Sequence, residues 1–506
     1  RQRSVRQWSA GSDCLRGANR MKLWLRSRDP GLLALCGIIV AFTVYYGSLT
    51  LDIHHGLGTA AYDSGLYDQG VWLLSRFRSP FVTTMGRNLL GDHTSFILLL
   101  LVPFYWFAPG AWILFWSQAA VIGLGAIPVY LYARETLRSS RIALFFGVAY
   151  LVHPAVLGAL LENYHPDSFL GLFIPIALWA ALSRRWGWYA CAVAGALLVK
   201  EDVALVIVPL GLWVAARRDR RIGLVTAGAA VLTTVIAMFL VMRSLIGVPT
   251  RNAWRIPFGG PSGFLSAVFT RPRDVVSYFT SEGRPWYLVQ MMFPMAFQFL
   301  RRPGVAVVSA LVLFTNVLST YWYQFHIEYH YSIVAVPALV FGTIWAISHL
   351  PSTGWRGRRV ALIGVTAATG VSALLWSPIP FGRSFPSYWA PDHPVAVAAR
   401  EAVAEIPDSA VVAAHFRLAP HLAYRDEIYQ FPTPFRAVLY GVGLELEGTR
   451  LTERAERVEF LVLQRELSQE ASDDFAFIED AFDEYFSNDF WIVWQRDRLT
   501  PLPPLP

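Results

Sequence analysis

The chain has 506 residues, of which 55% are hydrophobic and 16% are charged. Charged residues make up about a quarter of an ordinary soluble protein, so this composition excludes that class and indicates a membrane protein. The net charge of +7 is carried by short arginine clusters between apolar blocks rather than by one basic face with aromatic side chains, which excludes a nucleic-acid partner.

Long apolar blocks follow an N-terminal tail, residues 1–30, that we expect to be cytoplasmic. A membrane-spanning helix needs about 20 apolar residues. Eleven segments are candidates: 31–51, 96–133, 142–161, 168–183, 187–199, 203–216, 222–246, 286–300, 304–322, 332–350 and 359–377. The second is broken at 107–110, and its first half could lie along the membrane surface. The fifth and sixth are short and flank Lys200, Glu201 and Asp202, so they predict a helical hairpin with a polar tip.

The arginine clusters predict the orientation of these passages, because positively charged loops stay in the cytoplasm. Clusters such as 134–141, 217–221 and 356–359 all fall on one side if the eleven segments each cross the membrane. The remaining loops are then external: 52–95, 162–167, 200–202, 247–285, 323–331 and the tail after 378. The sequence therefore predicts a mainly α, polytopic protein of a bacterial plasma membrane, with a transmembrane domain over 31–379 and an extracytoplasmic domain over 380–506.

The C-terminal domain alternates short elements. Val395–Ile406 has the pattern of an amphipathic helix, and Glu470–Tyr485 is helix-like. Three apolar runs have the length of strands: Ala410–Ala414, Val458–Leu463 and Phe490–Trp494. This alternation predicts a small α/β domain.

The external loops concentrate carboxylates and imidazoles. Such groups are costly at membrane depth and usually line a functional cavity. Taken singly, several have a structural explanation, since they could solvate a loop or cap a helix that enters the membrane. Their occurrence on one predicted face favours a shared cavity formed by Asp63, Asp68, Gln69, Asp92, His93, Glu162, His165, Asp167, Lys200, Glu201, Asp202 and His330.

A divalent metal is the one cofactor that the sequence leaves open. His326, Glu328 and His330 alternate along the chain, so they would share one face of an extended segment and could hold an ion. Their order, however, does not match an established metal motif.

Lys200 differs from the other cations, because it and Lys22 are the only lysines and arginine carries the remaining positive charge. Lys200 could pair with Glu201 or Asp202 at a helix turn. It could instead be a compact point-charge ligand for a phosphate at the membrane boundary. The pattern leaves both readings open.

Four motifs carry a family resemblance: Tyr62-Asp63-x-Gly65-x-x-Asp68-Gln69, Asp92-His93, His165-Pro166-Asp167 and Val199-Lys200-Glu201-Asp202-Val203-Ala204. Over nearly the whole chain they resemble a family of predicted bacterial polytopic membrane proteins with a domain of unknown function. More distantly, the layout is similar to the GT-C class of membrane glycosyltransferases, which includes protein mannosyltransferases and aminoarabinose transferases of lipid A.

The GT-C resemblance implies roles for individual residues. Asp63 would correspond to the essential acid of the first external loop, Asp167 or Glu162 to the second acid, and Lys200 to the phosphate-binding lysine. Two features depart from the class. Glu201 and Asp202 follow Lys200 where glycine is usual, and loop one has no Asp-Glu pair.

The resemblance therefore implies a glycosyltransferase that moves a sugar from a polyprenyl-phosphate donor to a cell-envelope glycan, lipid or protein. A carboxylate, Asp63, would act as general base, and Lys200 with Arg251 or Arg255 would neutralise the lipid phosphate. The aromatic and basic loop 247–285 could lie on the membrane lipids and gate the site. A lipid or polysaccharide transporter and a noncatalytic membrane scaffold remain the alternatives.

Overall fold

The computed structural model describes residues 29–250, 252–352, 357–439 and 446–504, and over these residues the chain is mainly helical. The first helix, Pro30–His55, is capped by Asp29, which accepts a hydrogen bond from the Gly31 backbone N–H at 3.0 Å. The same carboxylate pairs with Arg134 at 2.8 Å. The further α-helices are Leu66–Ser75, Leu89–Asp92, Val102–Phe107, Trp112–Leu124, Ala126–Leu137, Ser140–Leu151, Pro154–Glu162, Leu170–Leu182, Trp186–Leu197, Ala204–Arg217, Arg220–Ile236, Arg243–Ile246, Pro261–Thr270, Pro272–Thr280, Arg284–Met292, Ala310–Leu318, Val336–Ser348, Arg358–Trp376, Pro394–Ala404, Thr452–Arg457 and Gln469–Ala476.

Five of the described helices are long and apolar enough to cross a membrane: Pro30–His55, Trp112–Leu137, Arg220–Ile246, His330–Ser348 and Arg358–Trp376. A sixth passage would be the pair Ser140–Leu151 and Pro154–Glu162, which is bent by 42°. Shorter apolar helices cover Pro166–Leu182 and Gly304–Leu318. The membrane character is thus clear, but the predicted count of about eleven passages is not confirmed.

Several predicted passages are broken rather than continuous. The bend at His153 arises because Pro154 lacks a backbone N–H, so a new helix begins there. In the predicted passage 286–300, helix Arg284–Met292 ends before Ala296 and Phe297, whose φ angles of 47° and 54° cannot continue an α-helix. The interruption predicted at 107–110 is present between helices Val102–Phe107 and Trp112–Leu124.

The C-terminal region forms one five-stranded sheet. Its strands are β3 (Val412–Ala414), β4 (Ile428–Gln430), β5 (Phe460–Gln464), β6 (Phe482–Ser487) and β7 (Trp491–Arg496), and β1 (Phe81–Val82) and β2 (Arg87–Asn88) form a separate hairpin in loop one. The order in the sheet is β4-β3-β5-β7-β6. Strand β3 is parallel to its neighbours β4 and β5, and β7 is antiparallel to its neighbours β5 and β6. Helix Pro394–Ala404 packs on one face, where Trp491 is fully buried.

One prediction for this region needs correction. The expected helix Glu470–Tyr485 is an α-helix only over Gln469–Ala476; a 3₁₀ turn follows at Glu479–Ala481, and strand β6 begins at Phe482. Phe482, Tyr485 and Phe486 favour a strand, and pairing with β7 provides the partner that a sequence pattern does not reveal. Strand β4 was not predicted.

Loop one docks against this sheet. The Thr83 hydroxyl donates to the Ile428 carbonyl at 2.6 Å and accepts from the Ile428 backbone N–H at 2.9 Å. Leu57 and Ala61 are buried within the apolar cluster beneath β3 and β7. The C-terminal domain thereby fixes the backbone on either side of residues 62–69, where the candidate site begins.

Candidate functional site

Polar side chains from separate loops meet around one cavity of about 370 Å³. They come from the first external loop (loop one, residues 52–95), from the second (loop two, 162–167), from the tip between helices Trp186–Leu197 and Ala204–Arg217, and from the segment before helix Val336–Ser348. The lining includes Tyr62, Asp63, Tyr67, Arg87, Asp92, His93, Glu162, Asn163, His165, Lys200, Arg255, Tyr321, Tyr323, Tyr329, His330 and Tyr331. The structure thus brings together eight of the predicted site residues: Asp63, Asp92, His93, Glu162, His165, Lys200, Arg255 and His330.

Asp63 has an unusual backbone conformation, with φ of 72° and ψ of −97°. This region is sparsely populated and costs on the order of 1–3 kcal/mol, a cost that folded proteins tolerate chiefly at functional sites. The next residue anchors the turn, because the Ser64 hydroxyl donates to the Asn163 side-chain oxygen at 2.9 Å and accepts from the Tyr164 backbone N–H at 3.3 Å. The Asp63 side chain is 39% exposed, so its carboxylate is open to the cavity.

His165 faces Asp63 across the cavity wall, with its Nε2 3.2 Å from the Asp63 carboxylate. Its backbone is held by Gln118, whose side-chain oxygen accepts from the His165 N–H at 3.0 Å. Burial alone would lower the pKa of His165, but the charges of Asp63 and Glu162 outweigh it and raise this pKa to about 9. Burial likewise opposes ionisation of Asp63, yet His165 lowers the pKa of that carboxyl below its usual value. The two side chains form an ion pair at neutral pH.

A second group forms where loop two meets His330. The imidazoles of His165 and His330 stack with their centroids 3.6 Å apart. Glu162 Oε2 lies 3.1 Å from His330 Nδ1 and 4.0 Å from His165 Nδ1. The His165 nitrogen is buried, and no described residue forms a hydrogen bond with it. Two imidazoles and a carboxylate whose ligand atoms lie within 4.8 Å of one another could hold a divalent metal ion.

This group differs from the predicted metal trio of His326, Glu328 and His330. That prediction assumed an extended segment, whereas the chain turns at 327–328, where the Tyr329 backbone N–H donates to the His326 carbonyl at 3.3 Å. His326 bonds to the Trp322 carbonyl at 2.7 Å, and Glu328 is exposed. Of the three, only His330 lines the cavity.

Lys200 lies between helices Trp186–Leu197 and Ala204–Arg217 with its side chain 5% exposed. These helices pack mainly against Leu170–Leu182 and Arg220–Ile236 respectively, so the predicted hairpin, in which they would pack against each other, is wrong. Its ammonium is 3.7 Å from Asp167 and 3.9 Å from Asp202, distances too long for hydrogen bonds. Burial would lower the pKa of Lys200, but the Asp167 and Asp202 charges overcome it and raise the pKa above its usual value. The ammonium is therefore charged and attracted by two carboxylates, and it lines the cavity without a hydrogen bond to either of them.

The acids next to Lys200 fix the tip in place. Glu201 contacts His93 Nδ1 at 2.7 Å and accepts from the Thr94 backbone N–H at 3.2 Å. Burial opposes its ionisation, but His93 lowers the pKa of Glu201 to about 2. Asp92, in turn, pairs with Arg87 at 2.6 Å. These contacts tie the tip to loop one, so Glu201 and Asp92 act mainly as structural anchors.

Asp68 and Gln69, although predicted as cavity residues, face the C-terminal domain. Asp68 accepts hydrogen bonds from Tyr105 at 2.6 Å and from Tyr424 at 2.8 Å. The Gln69 amide donates to the Arg425 and Asp426 carbonyls, each at 3.2 Å. Both residues lie on helix Leu66–Ser75, which directs them away from Asp63.

Asp68 makes the stability of the protein dependent on pH. Burial raises its pKa to about 7, against about 3.9 in an unfolded chain. The stabilisation that Asp68 gives the folded protein is therefore complete below its pKa in the unfolded chain. This stabilisation is lost as the pH rises through its pKa in the folded protein. We expect the wild type to lose thermal stability between about pH 5.5 and about pH 8 relative to Asp68→Asn, which cannot titrate. Thermal unfolding of the wild type and Asp68→Asn at both pH values measures this loss. A difference in thermal midpoint between the two proteins that is the same at both pH values would contradict the prediction.

Sequence reasoning missed several tyrosines of the cavity wall. Tyr321, Tyr323, Tyr329 and Tyr331 line it, and the Arg255 guanidinium lies 4.3 Å from the Tyr321 ring centroid. The aromatic density of segment 321–331 was the available signal. Arg251, predicted beside Arg255 as a phosphate ligand, lies outside the described residues.

Lys200, Arg255 and His93 also line a second cavity of about 240 Å³. Its lining also includes the apolar side chains of Met238, Ile256 and Leu318 and the carboxylates of Glu201 and Asp202. Lys200, Arg255 and His93 thus line both cavities. Together the two cavities offer cationic, polar and apolar contacts to one ligand.

Comparison with known families gives one match. The model of a family described as predicted membrane protein (DUF2079) matches residues 53–499, nearly the whole chain. No curated protein matches the sequence. The resemblance to a family of predicted membrane proteins is thus confirmed.

Comparison with solved structures identifies the fold. Crystal structures of ArnT from Cupriavidus metallidurans are similar to the chain, each at 14% identity. For the apo structure the TM-score is 0.56, and the match covers 94% of this chain and 100% of the ArnT chain. For the structure bound to undecaprenyl phosphate the TM-score is 0.51, and the match covers 91% of this chain and 97% of the ArnT chain. At this identity the likeness shows the fold alone, and it confirms the distant GT-C resemblance.

Proposed function

The chain belongs to the DUF2079 family of predicted membrane proteins, and we propose that it is a GT-C-like glycosyltransferase that moves a sugar from a polyprenyl-phosphate donor to a cell-envelope acceptor. One observation carries this proposal: the Asp63 carboxylate and the buried Lys200 ammonium line the same cavity. A similar fold binding undecaprenyl phosphate supports a lipid-phosphate partner.

The two adjoining cavities suit the two ends of such a donor. The sugar would occupy the 370 Å³ cavity, and the first isoprene units would occupy the 240 Å³ cavity beside Met238 and Leu318. The phosphate would lie between them, against Lys200 and Arg255. An ammonium and a guanidinium are suitable ligands for a phosphate, and a buried position strengthens both interactions.

The reaction would use these groups as follows. The acceptor hydroxyl oxygen attacks the anomeric carbon, the bond from that carbon to the phosphate oxygen breaks, and its electron pair stays on the phosphate. Asp63 takes the hydroxyl proton. Polyprenyl phosphate leaves with one more negative charge than it carried in the donor, and Lys200 stabilises that charge as it develops. His165 keeps Asp63 ionised through the 3.2 Å ion pair.

We place this site at the external face of a bacterial plasma membrane. The arginine-rich loops 134–141 and 217–221 lie at the other ends of the helices that lead away from it. The C-terminal sheet would then also be external, where its contact with loop one could orient the acceptor. A reporter enzyme fused after Pro391 would be active only outside the cytoplasm.

A lipid-binding measurement tests the proposal directly. Undecaprenyl phosphate should raise the thermal midpoint of the purified protein in a saturable way, whereas undecaprenol, which lacks the phosphate, should not. A donor with a labelled sugar should lose its sugar–phosphate bond in proteoliposomes. Equal stabilisation by undecaprenol, or movement of intact donor across the bilayer without cleavage, would overturn the enzyme in favour of a scaffold or a transporter.

A further inference from the structure

A further cavity, with arginines and apolar side chains in its lining, lies beside the end of helix Ala204–Arg217 that is farther from Lys200. Helix Ala204–Arg217 has 14 residues and begins beside the Lys200 tip, so its far end is about 21 Å away. At that end a cavity of about 840 Å³ is lined by Arg217, Arg218 and Arg302. It has no residue in common with the candidate active site.

The charge in this cavity is unbalanced. Three guanidinium groups line it, and its lining among the described residues contains no carboxylate. Asp219 is adjacent in sequence, but its side chain accepts a hydrogen bond from the Ile222 backbone N–H at 3.0 Å and caps helix Arg220–Ile236. Three cations beside one cavity repel one another, so an anionic ligand would be stabilising there.

Arg218 is held in position by aromatic side chains. Its guanidinium lies 5.5 Å from the Trp213 ring centroid and 5.9 Å from that of Trp345. Its Nε is buried and has no hydrogen-bond partner in the described part of the chain. Burial lowers the pKa of Arg218, a cost that a bound anion would offset. Two indoles thus lie beside an arginine whose buried Nε has no hydrogen-bond partner among the described residues.

The wall opposite helix Ala204–Arg217 is built for close packing. Gly304 has φ of 43°, and a Cβ there would lie 2.7 Å from the Trp345 ring. A larger residue would therefore displace that ring from its place near Arg218. Leu212 and Val307, which also line the cavity, are 52% and 50% exposed. An apolar surface thus continues from the arginines towards the hydrocarbon region.

We propose that this cavity binds the phosphate headgroup of an anionic phospholipid, with Arg217, Arg218 and Arg302 on the phosphate and Leu212 and Val307 beside the acyl chains. Basic pockets between transmembrane helices bind such headgroups. A free phosphate would satisfy the arginines alone, whereas a lipid also covers the exposed apolar wall. This inference does not depend on the proposed transferase activity.

Lipid titration of the purified full-length chain tests the proposal, with native mass spectrometry reporting the bound lipid. Phosphatidylglycerol should bind at least tenfold more tightly than phosphatidylcholine of the same chain length or inorganic phosphate. The double variant Arg218→Gln/Arg302→Gln should weaken phosphatidylglycerol binding on the order of 30-fold. Arg220→Gln/Arg221→Gln, a matched loss of two charges outside the cavity lining, should leave it nearly unchanged.

Three results would overturn the site. The first is an equal loss of phosphatidylglycerol binding in Arg220→Gln/Arg221→Gln, and the second is equal affinity for phosphatidylcholine and phosphatidylglycerol. The third is competition by inorganic phosphate at the same concentration as the lipid. A second measurement needs no variant. A phosphatidylglycerol with a photoreactive headgroup should label the wild type within residues 302–307 or at Trp345. Labelling confined to other segments would also exclude the site, even if the double variant fails to fold.

Discussion

Replacement of Asp63 by asparagine is expected to lower the rate of sugar transfer by ~10²–10⁴-fold, the usual contribution of a general base. Asparagine has nearly the same size but cannot take the acceptor proton. It also suits the backbone at φ of 72°, because asparagine, like aspartate, occurs at positive φ more often than most other non-glycine residues do. The fold and the binding of undecaprenyl phosphate should therefore survive the substitution.

The lowered pKa of Asp63 shapes this expectation. Because the His165 charge keeps the carboxyl ionised although it lies within the cavity, Asp63 is ready to accept a proton throughout the neutral range, but it is a weak base. Its contribution is greatest late in the reaction, when the bond to the anomeric carbon has made the acceptor hydroxyl more acidic. The transfer rate should accordingly not fall as pH decreases from about 8 to about 6.

Asp52→Asn is the matched control, since it removes an exposed carboxylate from the last turn of helix Pro30–His55 outside the cavity lining. It should change the transfer rate by no more than about twofold, as an ordinary surface substitution does. A folded Asp63→Asn protein that transfers sugar at the wild-type rate would exclude the base role. Loss of both folding and lipid binding would instead assign Asp63 a structural role.

The sequence predicted the membrane character of the fold well and its details less well. Apolar segments and arginine clusters report burial in lipid directly, and prolines such as Pro154 mark the breaks. Strand β6 could not be found in the same way, because Phe482–Ser487 becomes a strand through its pairing with β7. The broken passage near Ala296 depends on left-handed residues that no local pattern specifies.

For the site, the informative signal was an ionisable residue in an apolar setting. That signal singled out Asp63, His165 and Lys200, all of which line the cavity. It could not tell which side of a helix faces inward, so Asp68 was placed in the cavity although it contacts Tyr424. Nor could it pair Glu162 with His330, which are 168 residues apart in the chain. Their contact is purely tertiary.

Lys200→Met should abolish detectable binding of undecaprenyl phosphate and reduce transfer by ~10²–10³-fold, the cost of losing one electrostatic stabiliser of the transition state. The structural reason is the geometry of the ammonium. It is buried, and at 3.7 Å and 3.9 Å its two carboxylate neighbours are beyond hydrogen-bond reach. Because Lys200 lines the cavity, a phosphate oxygen could approach the ammonium from the cavity side. Lys200→Arg should restore only part of the binding, since a planar fork does not reproduce a compact point charge.

A purely structural role for Lys200 makes a different prediction, which a second substitution can isolate. If the lysine only balances Asp167, its loss leaves a buried carboxylate uncompensated and costs about 3–5 kcal/mol of stability. The double variant Lys200→Met/Asp167→Asn removes both charges and should then recover the thermal midpoint. Under the phosphate role, the double variant recovers stability but still fails to bind undecaprenyl phosphate. Lys22→Met, which removes the only other lysine, serves as the control. Lipid binding restored in the double variant would rule out Lys200 as the phosphate ligand, because no cation would then stand at that position.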